Sequence, residues 1–277
     1  MSAAEIARLD AELVRRGLAR SRGDARDLVA AGQVIVDGRV ATKSAQPVSE
    51  AVVLTVEHDG PRWVGRGGRK LDHALRRWAP DGLCVAGRRC VDVGASTGGF
   101  SQALLAAGAA SVVAVDVGHD QLVAEISEDP RVLELSGTTV RGLSAPEVGG
   151  PADLVVVDLS FISLTTVMAD LVGLLAPTGD LVLLVKPQFE VGRGRLSRTG
   201  LVKGPADRAA ALTAVIDATR AHGLGVLGLT ASPLRGSTGN AEYLLWARRE
   251  ASATMDQNTL REIVREITTQ VDTGGGR

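Results

Sequence analysis

The stretch Cys90-Val91-Asp92-Val93-Gly94-Ala95-Ser96-Thr97-Gly98-Gly99-Phe100 decides the fold of this chain. Cys90 to Val93 is a short apolar run typical of a buried strand, and the pattern from Phe100 to Ala107 is helical and stops at Gly108. Glycines between a strand and a helix let the backbone turn tightly and approach a ligand closely. The stretch therefore predicts a strand, a glycine-rich turn and a helix that open an α/β sheet.

Apolar strand patterns alternate with helical patterns through the rest of the chain. Continuous apolar strands separated by helices are typical of a parallel sheet that is covered on both faces. We predict strands at residues 111–117, 131–135, 153–159, 180–185, 224–230 and 241–247, and helices at 163–175, 205–222 and 256–271. The last strand is predicted to run antiparallel. The fold class is therefore α/β, with a Rossmann-like, mostly parallel sheet.

An acidic residue at the end of the second strand indicates a cofactor. Asp116 follows Gly94 by 22 residues, and a carboxylate at that place can bind both hydroxyls of a ribose. A tight turn that binds nothing would contain the same glycines, but the added acid favours an adenosine-type cofactor. Asp92, just before the loop, would repel a pyrophosphate and suits the ammonium of a methionine moiety. We therefore favour S-adenosylmethionine over NAD. The candidate contacts are Asp92, Gly94, Ala95, Ser96, Gly98, Gly99, Phe100 and Asp116.

Charged residues fall at the strand ends where an open α/β sheet binds its ligands. Asp158 ends the fourth strand, Lys186 ends the fifth, and Glu242 lies at the start of the antiparallel strand, at the same edge. Lys70 precedes the first strand by a helix-length segment and can reach that edge. Taken singly, each suits a helix cap, a solvated strand end or a surface charge equally well. Together at one edge they favour a functional site.

Two lysines and two carboxylates beside a methyl donor are typical of a site that removes a proton. A ribose hydroxyl is a poor nucleophile until it loses its proton, and an amine accepts that proton only in its uncharged form. Our hypothesis is that Lys186 is the base, and that Asp158, Lys70 and Glu242 hold and tune it.

The first part of the chain follows a different pattern. Helical patterns cover residues 5–16 and 21–31, and Ser21 is a suitable N-cap for the second helix. Asp37-Gly38 lies between two apolar runs and predicts a hairpin, and residues 51–57 predict a further strand. These patterns indicate a small α+β domain. Glycine and proline after residue 58 then indicate a linker.

This first part is also basic. Residues 1–77 contain 14 Lys and Arg against 10 Asp and Glu, so the rest of the chain carries the excess of acid. A basic cluster suits the phosphates of a folded RNA, although a solvated helix end has the same composition. The candidate RNA contacts are Arg8, Arg15, Arg16, Arg20, Arg22, Lys43, Arg66, Arg193 and Arg195. We predict an RNA-binding domain at 1–58, a linker at 59–66, a catalytic domain at 67–271 and a disordered tail at 272–277.

Composition excludes several other classes of protein. Cys84 and Cys90 are too few for a disulfide framework, and neither they nor the scattered histidines have metal-ligand spacing. No uncharged run reaches the roughly 18 residues of a spanning helix. The start of the chain carries Glu5 and lacks an apolar region, so we expect no signal peptide. These features predict a cytoplasmic protein without a metal or membrane insertion.

The motifs resemble a known family. The front, from Arg8-Leu9-Asp10 through Ser21-Arg22 to Val36-Asp37-Gly38, is similar to the alpha-L RNA-binding module. The glycine-rich stretch, Asp158-Leu159-Ser160-Phe161-Ile162-Ser163 and Lys186-Pro187-Gln188-Phe189-Glu190 resemble FtsJ-like methyltransferases. Together they resemble the TlyA, or haemolysin A, family of ribosomal RNA 2′-O-methyltransferases.

The resemblance implies a Lys-Asp-Lys-Glu tetrad at Lys70, Asp158, Lys186 and Glu242. It implies methylation of cytidine in 16S rRNA, 23S rRNA or both, with ribosomal RNA or ribosomal subunits as the partner. It also places Thr139 near the cofactor adenine, where the family tends to have asparagine. Two rival hypotheses remain, a secreted haemolysin, which the family name records, and a catalytically inert RNA-binding protein that acts in ribosome assembly.

Overall fold

The computed structural model describes residues 6–57, 62–249 and 254–273, with side chains up to residue 270. It divides into two compact units, Met1–Arg62 and Trp63–Arg277. Residues 59–61 of the predicted linker and 274–277 of the predicted tail lie outside the described residues.

Residues 6–57 of the first unit form two helices and two small sheets. The helices are α1 (Leu9–Arg15) and α2 (Arg22–Ala30), and the strands are β1 (Ile6–Arg8), β2 (Val34–Val36), β3 (Arg39–Val40), β4 (Pro47–Ser49) and β5 (Leu54–Val56). β1 pairs antiparallel with β4, and β2 lies between β3 and β5. The helices pack through Leu9, Leu13 and Leu28 against Val34 of the sheet, which gives this unit its own core.

Two local predictions for this unit are confirmed and one is wrong. Ser21 caps α2 by accepting a hydrogen bond from the N–H of Asp24, and Asp37 and Gly38 turn the β2–β3 hairpin with φ of 47° and 78°. The helix predicted from residue 5 instead begins at Leu9. Ile6–Arg8 are extended because their backbone pairs with β4, a strand that the sequence pattern missed.

A seven-stranded sheet forms the centre of the second unit. Its strands are β6 (Arg89–Val93), β7 (Ser111–Val115), β8 (Val132–Leu135), β9 (Ala152–Val157), β10 (Leu175–Val185), β11 (Leu224–Ala231) and β12 (Tyr243–Arg249). Their order is β11-β12-β10-β9-β6-β7-β8. β12 runs antiparallel to both of its neighbours, and the other adjacent strands are parallel. The predicted α/β fold class and its antiparallel last strand are therefore confirmed.

Helices cover both faces of this sheet. They are α3 (Arg66–Trp78), α4 (Gly99–Ala106), α5 (Ala124–Ser127), α6 (Leu164–Gly173), α7 (Pro187–Glu190), α8 (Pro205–Ala221) and α9 (Gln257–Thr273). Residues of α3 and α4 pack with Cys90, Leu154 and Val182, whereas α6, α8 and α9 pack with strand residues on the opposite face, such as Val91 and Val155. This alternation buries both sides of the strands and leaves their carboxyl ends as the place for a site.

The two ends of this unit differ from the predicted boundaries. Trp63 and Val64 pack against the cluster formed by α3 and α4, and α3 already begins at Arg66, so residues assigned to the linker fold with the sheet. α9 continues to Thr273, two residues into the predicted tail. Among the residues that the structure describes, no helix is long and apolar enough to cross a membrane.

Candidate active site

The glycine-rich turn brings the ends of β6 and β9 into close contact. Gly94 has a φ of 87°, and a Cβ at this position would lie 2.6 Å from the carbonyl oxygen of Asp158. Gly98 has a φ of 93° and caps the start of α4. Residues with side chains would strain this turn or push the two strand ends apart. The predicted strand, turn and helix therefore form as expected, and their glycines have a steric reason.

A cavity of about 450 Å³ opens beside this turn, at the carboxyl ends of β6, β7 and β9. The carboxylate of Asp116 lies at its wall and accepts hydrogen bonds from the N–H groups of Ser96 and Gly118, both at 2.8 Å. Val117, next to it, is 68% exposed although it is apolar. The lining residues are Val93, Gly94, Ser96, Val115, Asp116, Val117, Gln121, Thr138, Thr139, Val140, Asp158, Leu159, Ser160, Phe161 and Ile162.

Asp92, a predicted cofactor contact, lies elsewhere. It is fully buried below α4, and its Oδ2 accepts a hydrogen bond of 2.7 Å from the hydroxyl of Ser101. Burial raises the pKa of this carboxyl to about 7. Asp92 therefore supports the turn from below and does not line the cavity, because every second residue of β6 points away from the cavity towards α4.

The other predicted cofactor residues divide in the same way. Gly94, Ser96, Asp116 and Thr139 line the cavity, whereas Ala95, Gly98, Gly99 and Phe100 do not and instead shape the turn and its packing on α3. Sequence reasoning missed Val117, Gln121, Thr138 and the segment from Leu159 to Ile162. These residues lie within six positions after the ends of β7, β8 and β9, so their position along the chain was a signal that could have found them.

The four charged residues predicted at the sheet edge form two ion pairs. Lys70 Nζ lies 2.5 Å from Glu242 Oε2, and both side chains are almost completely buried. Lys186 Nζ lies 2.6 Å from Asp158 Oδ1 and also donates a hydrogen bond of 2.8 Å to the hydroxyl of Ser160. Each pair joins residues far apart in the chain, so only the fold brings them together.

A second cavity, of about 650 Å³, adjoins the first. Lys186 and Glu242 lie in its wall, and Ser160 and Phe161 line both cavities. Phe161 is 91% exposed, has a φ of 65°, and lies with its ring centroid 5.2 Å from that of Phe189. The remaining lining residues are Gln188, Phe189, Gly192, Arg193, Leu196, Gly200, Ser237 and Thr238. A small cavity suited to a cofactor thus meets a larger, partly basic one at the ion pair of Lys186.

Comparison with known proteins agrees with this geometry. Residues 63–249 match the FtsJ-like methyltransferase family model, and residues 7–54 match the S4 domain. The chain belongs to the FtsJ-like methyltransferase family. The match covers the sheet, the helices α3 to α8 and all four charged residues, so the fold class and the family predicted from the motifs are confirmed.

This FtsJ-like methyltransferase is similar to several proteins over most of their own length. It is 50% identical to the 16S/23S rRNA (cytidine-2'-O)-methyltransferase TlyA of Mycobacterium tuberculosis, over 94% of this chain and 97% of that protein. It is 34% identical to Hemolysin A of Brachyspira hyodysenteriae, over 86% and 98%. A solved structure of a protein from Streptococcus thermophilus that carries the name hemolysin is 33% identical, with a TM-score of 0.72 over 98% of this chain and 97% of that one.

The arginines of the S4 domain are largely bound to acids. Glu12 lies between Arg15 and Arg16 at 2.7 and 2.6 Å, and these bonds lower the pKa of Glu12 to about 2. Arg8 and Arg22 share Asp10, and Arg20 pairs with Asp24. Residues 15–22 include no acidic residue, but acidic residues on either side of this run pair with its arginines. The cluster is therefore less cationic than its sequence indicates.

Exposure separates the predicted RNA contacts into two groups. The side chain of Arg16 is only 22% exposed and donates to the carbonyls of Val52 and Glu50, so it holds the S4 domain together. Arg66 donates to the carbonyl of Arg235 at 2.6 Å within the FtsJ-like domain. The other predicted contacts keep exposed side chains. They are Arg8, Arg15, Arg20, Arg22, Lys43, Arg193 and Arg195.

Proposed function

We propose that this chain transfers a methyl group from S-adenosylmethionine to the ribose 2′-hydroxyl of a cytidine in ribosomal RNA. The observation that carries the proposal is the ion pair of Lys186 and Asp158 between the two cavities. An amine at this border reaches a nucleotide in the larger cavity and the reacting group of a cofactor in the smaller one. The name of the Mycobacterium tuberculosis relative, whose length the chain covers almost completely, supports the nucleotide and the target.

The residues of the smaller cavity fit S-adenosylmethionine. The carboxylate of Asp116 is a suitable acceptor for ribose hydroxyls, and exposed Val117 offers an apolar surface for an adenine ring. When bound, S-adenosylmethionine supplies a methyl group that its sulfonium makes electrophilic. The glycine-rich turn and Thr139 complete the wall.

The chain's own residues prepare the nucleophile. Lys186 takes the proton from the 2′-hydroxyl, which leaves an oxygen able to attack a methyl carbon. Asp158 orients the amine of Lys186 through the contact of 2.6 Å. The buried pair of Lys70 and Glu242 holds Glu242 at the wall of the larger cavity, beside Lys186. The hydroxyl oxygen thus loses its proton to Lys186 and gains the methyl group.

RNA binding belongs to the S4 domain and to the basic stretch with Arg193 and Arg195, which follows Lys186 in the chain. Exposed cations such as Arg15, Arg20 and Lys43 bind phosphate without reading sequence. Arg193 lies at the wall of the larger cavity and is suited to the phosphate beside the target nucleotide. A ribosomal substrate implies that the protein works in the cytoplasm, where ribosomal subunits assemble.

The test is methylation of ribosomes that lack the modification. Purified protein is incubated with 16S- and 23S-containing subunits and methyl-labelled S-adenosylmethionine, and 2′-O-methyl positions are mapped by reverse transcription. We expect labelled cytidine with the native chain and none with Lys186→Ala, while calorimetry finds cofactor affinity nearly unchanged. Full turnover by Lys186→Ala would disprove the assignment of the base. Lysis of erythrocytes by lipid-free protein that leaves ribosomal RNA unmodified would overturn the proposed function.

A further inference from the structure

Ser160 occupies the border between the two cavities. It follows the end of β9 by three residues, and its side chain is exposed and lines both the smaller and the larger cavity. The proposed function assigns it no role. Its hydroxyl nevertheless accepts a hydrogen bond of 2.8 Å from Nζ of Lys186, the proposed base.

The hydrogen bond to Ser160 limits the directions in which the amine of Lys186 can point. In the uncharged form that a base requires, the lysine amine has two N–H bonds and one lone pair in a tetrahedral arrangement. Asp158 Oδ1 lies 2.6 Å from Nζ as an ion-pair contact but has no hydrogen-bond partner, so its attraction for the amine is not directional. Ser160 accepts one of the N–H bonds in a defined direction, which restricts the lone pair to the two remaining tetrahedral directions. Without Ser160, the amine would rotate about its Cε–Nζ bond and its lone pair would have no preferred direction.

The neighbours of Lys186 indicate where the lone pair points. Asp158 lines the smaller cavity, Ser160 lies at the border, and Lys186 itself lines the larger cavity with Glu242. Since the carboxylate of Asp158 is on the side of the smaller cavity, the side of the amine away from Asp158 borders the larger cavity. That is where the proposed function requires the 2′-hydroxyl of the target nucleotide.

The segment that carries Ser160 is held at both ends. The N–H of Asp158 donates to the carbonyl of Val93 at 3.0 Å. After Phe161, whose φ is 65°, the chain enters α6, and Glu190 accepts hydrogen bonds there from Ser163 and Leu164. The position of Ser160 relative to Lys186 is therefore set by the backbone on both sides.

We propose that Ser160 is a positioning residue that directs the lone pair of Lys186 at the 2′-hydroxyl, an inference that rests on the proposed function. Ser160 exchanges no proton with the substrate. The transferred proton passes from the hydroxyl oxygen to Nζ of Lys186 as the new O–C bond forms and the C–S bond breaks. Ser160 therefore contributes to the rate of the step and not to the binding of cofactor or RNA.

The experiment compares Ser160→Ala, Ser160→Thr and Lys186→Ala with the full-length native chain on the ribosomal substrate mapped above. For Ser160→Ala we expect kcat to fall on the order of 10- to 100-fold, the size of a misorientation effect, with the KM for ribosomes and the Kd for S-adenosylmethionine within about twofold of native. Ser160→Thr keeps the acceptor oxygen and should restore most of kcat.

Each other outcome contradicts the inference. Native kcat in Ser160→Ala shows that the hydroxyl does not orient the base. A raised KM or Kd with native kcat shows that Ser160 serves only as cavity wall, and a threonine variant that binds cofactor normally but is as slow as alanine shows that the hydroxyl is irrelevant. If Lys186→Ala is inactive while Ser160→Ala is fully active, only this inference fails. If Lys186→Ala is active, the proposed base itself fails.

Discussion

The carboxylate of Glu190 accepts a hydrogen bond of 2.5 Å from the hydroxyl of Ser163. Its second oxygen accepts the N–H of Leu164 at 2.9 Å, at the start of α6. Glu190 follows Lys186 by four residues and Ser163 follows Asp158 by five, so this contact joins the two segments that carry the Lys186–Asp158 pair. Burial raises the pKa of Glu190 from its ordinary value.

Replacing Glu190 with alanine should weaken both stability and catalysis. The N-terminus of α6 loses two acceptors at once, so we expect the free energy of unfolding to fall by about 1–3 kcal/mol. The Lys186–Asp158 geometry loosens with it, and kcat should fall while cofactor affinity changes little. Urea unfolding and single-turnover methylation measure the two effects. Glu190→Gln retains an acceptor oxygen and is the matched control, and an alanine variant as stable and as fast as glutamine would refute the role.

The raised pKa of Asp92 predicts that the stability of the folded chain depends on pH. Its pKa is about 7 in the folded chain against 3.8 for an ordinary carboxyl, so between these values the folded state holds a proton that the unfolded state has released. Asp92 therefore contributes most to the free energy of unfolding below pH 3.8. This contribution, up to about 4 kcal/mol, is lost as the pH rises to about 7.

The test of this dependence is Asp92→Asn, which cannot titrate. Urea unfolding of both proteins at several values between about pH 5 and 7 cancels the contributions of other groups in the difference. We expect the native chain to lose stability relative to the variant as pH rises through this range. A difference that does not change with pH would show that Asp92 titrates normally despite its complete burial.

Arg16 and Lys43 should behave differently although both were predicted as RNA contacts. Arg16 is bound to Glu12 and to two backbone carbonyls, so Arg16→Ala should destabilise the S4 domain by about 2 kcal/mol. Lys43 is exposed, so Lys43→Ala should leave stability unchanged, weaken ribosome binding and reduce the slope of log affinity against log salt by about 1. Thermal unfolding and filter binding at several salt concentrations separate the two effects. Equal losses of stability would contradict the assignment.

The two cysteines should differ in reactivity. Cys90 is fully buried in β6, and burial raises the pKa of its thiol to about 12, whereas Cys84 is exposed. The thiolate is the reactive form. We expect iodoacetamide to label Cys84 in the native chain and to leave Cys90 intact, as measured by mass spectrometry of peptides. Labelling in urea, where both should react, is the control, and native labelling of Cys90 would show that β6 opens readily.

Sequence patterns predicted the catalytic unit well because its elements are long and buried on both faces. The apolar run of β9 and the helical period of α8 are local signals, and Asp158, Lys186 and Glu242 could be assigned to one edge from strand polarity alone. The short β1 and β4 were missed because each has three residues and is extended only through pairing with the other. Ser160 and Phe161 were quoted within a motif but given no role, since nothing local marks a residue as common to two cavities.

By itself, the sequence determined the α/β class, the tight turn at Gly94 and the presence of charged residues at the strand ends, because periodicity, backbone sterics and strand direction are properties of neighbouring residues. Tertiary structure alone decided which charges pair, since Lys70 meets Glu242 across 172 positions of the chain. It also decided that Asp92 is buried and that Arg16 is bound within its own domain. Distances and burial between remote segments arise only when the chain packs, and the chemistry of each side chain depends on them.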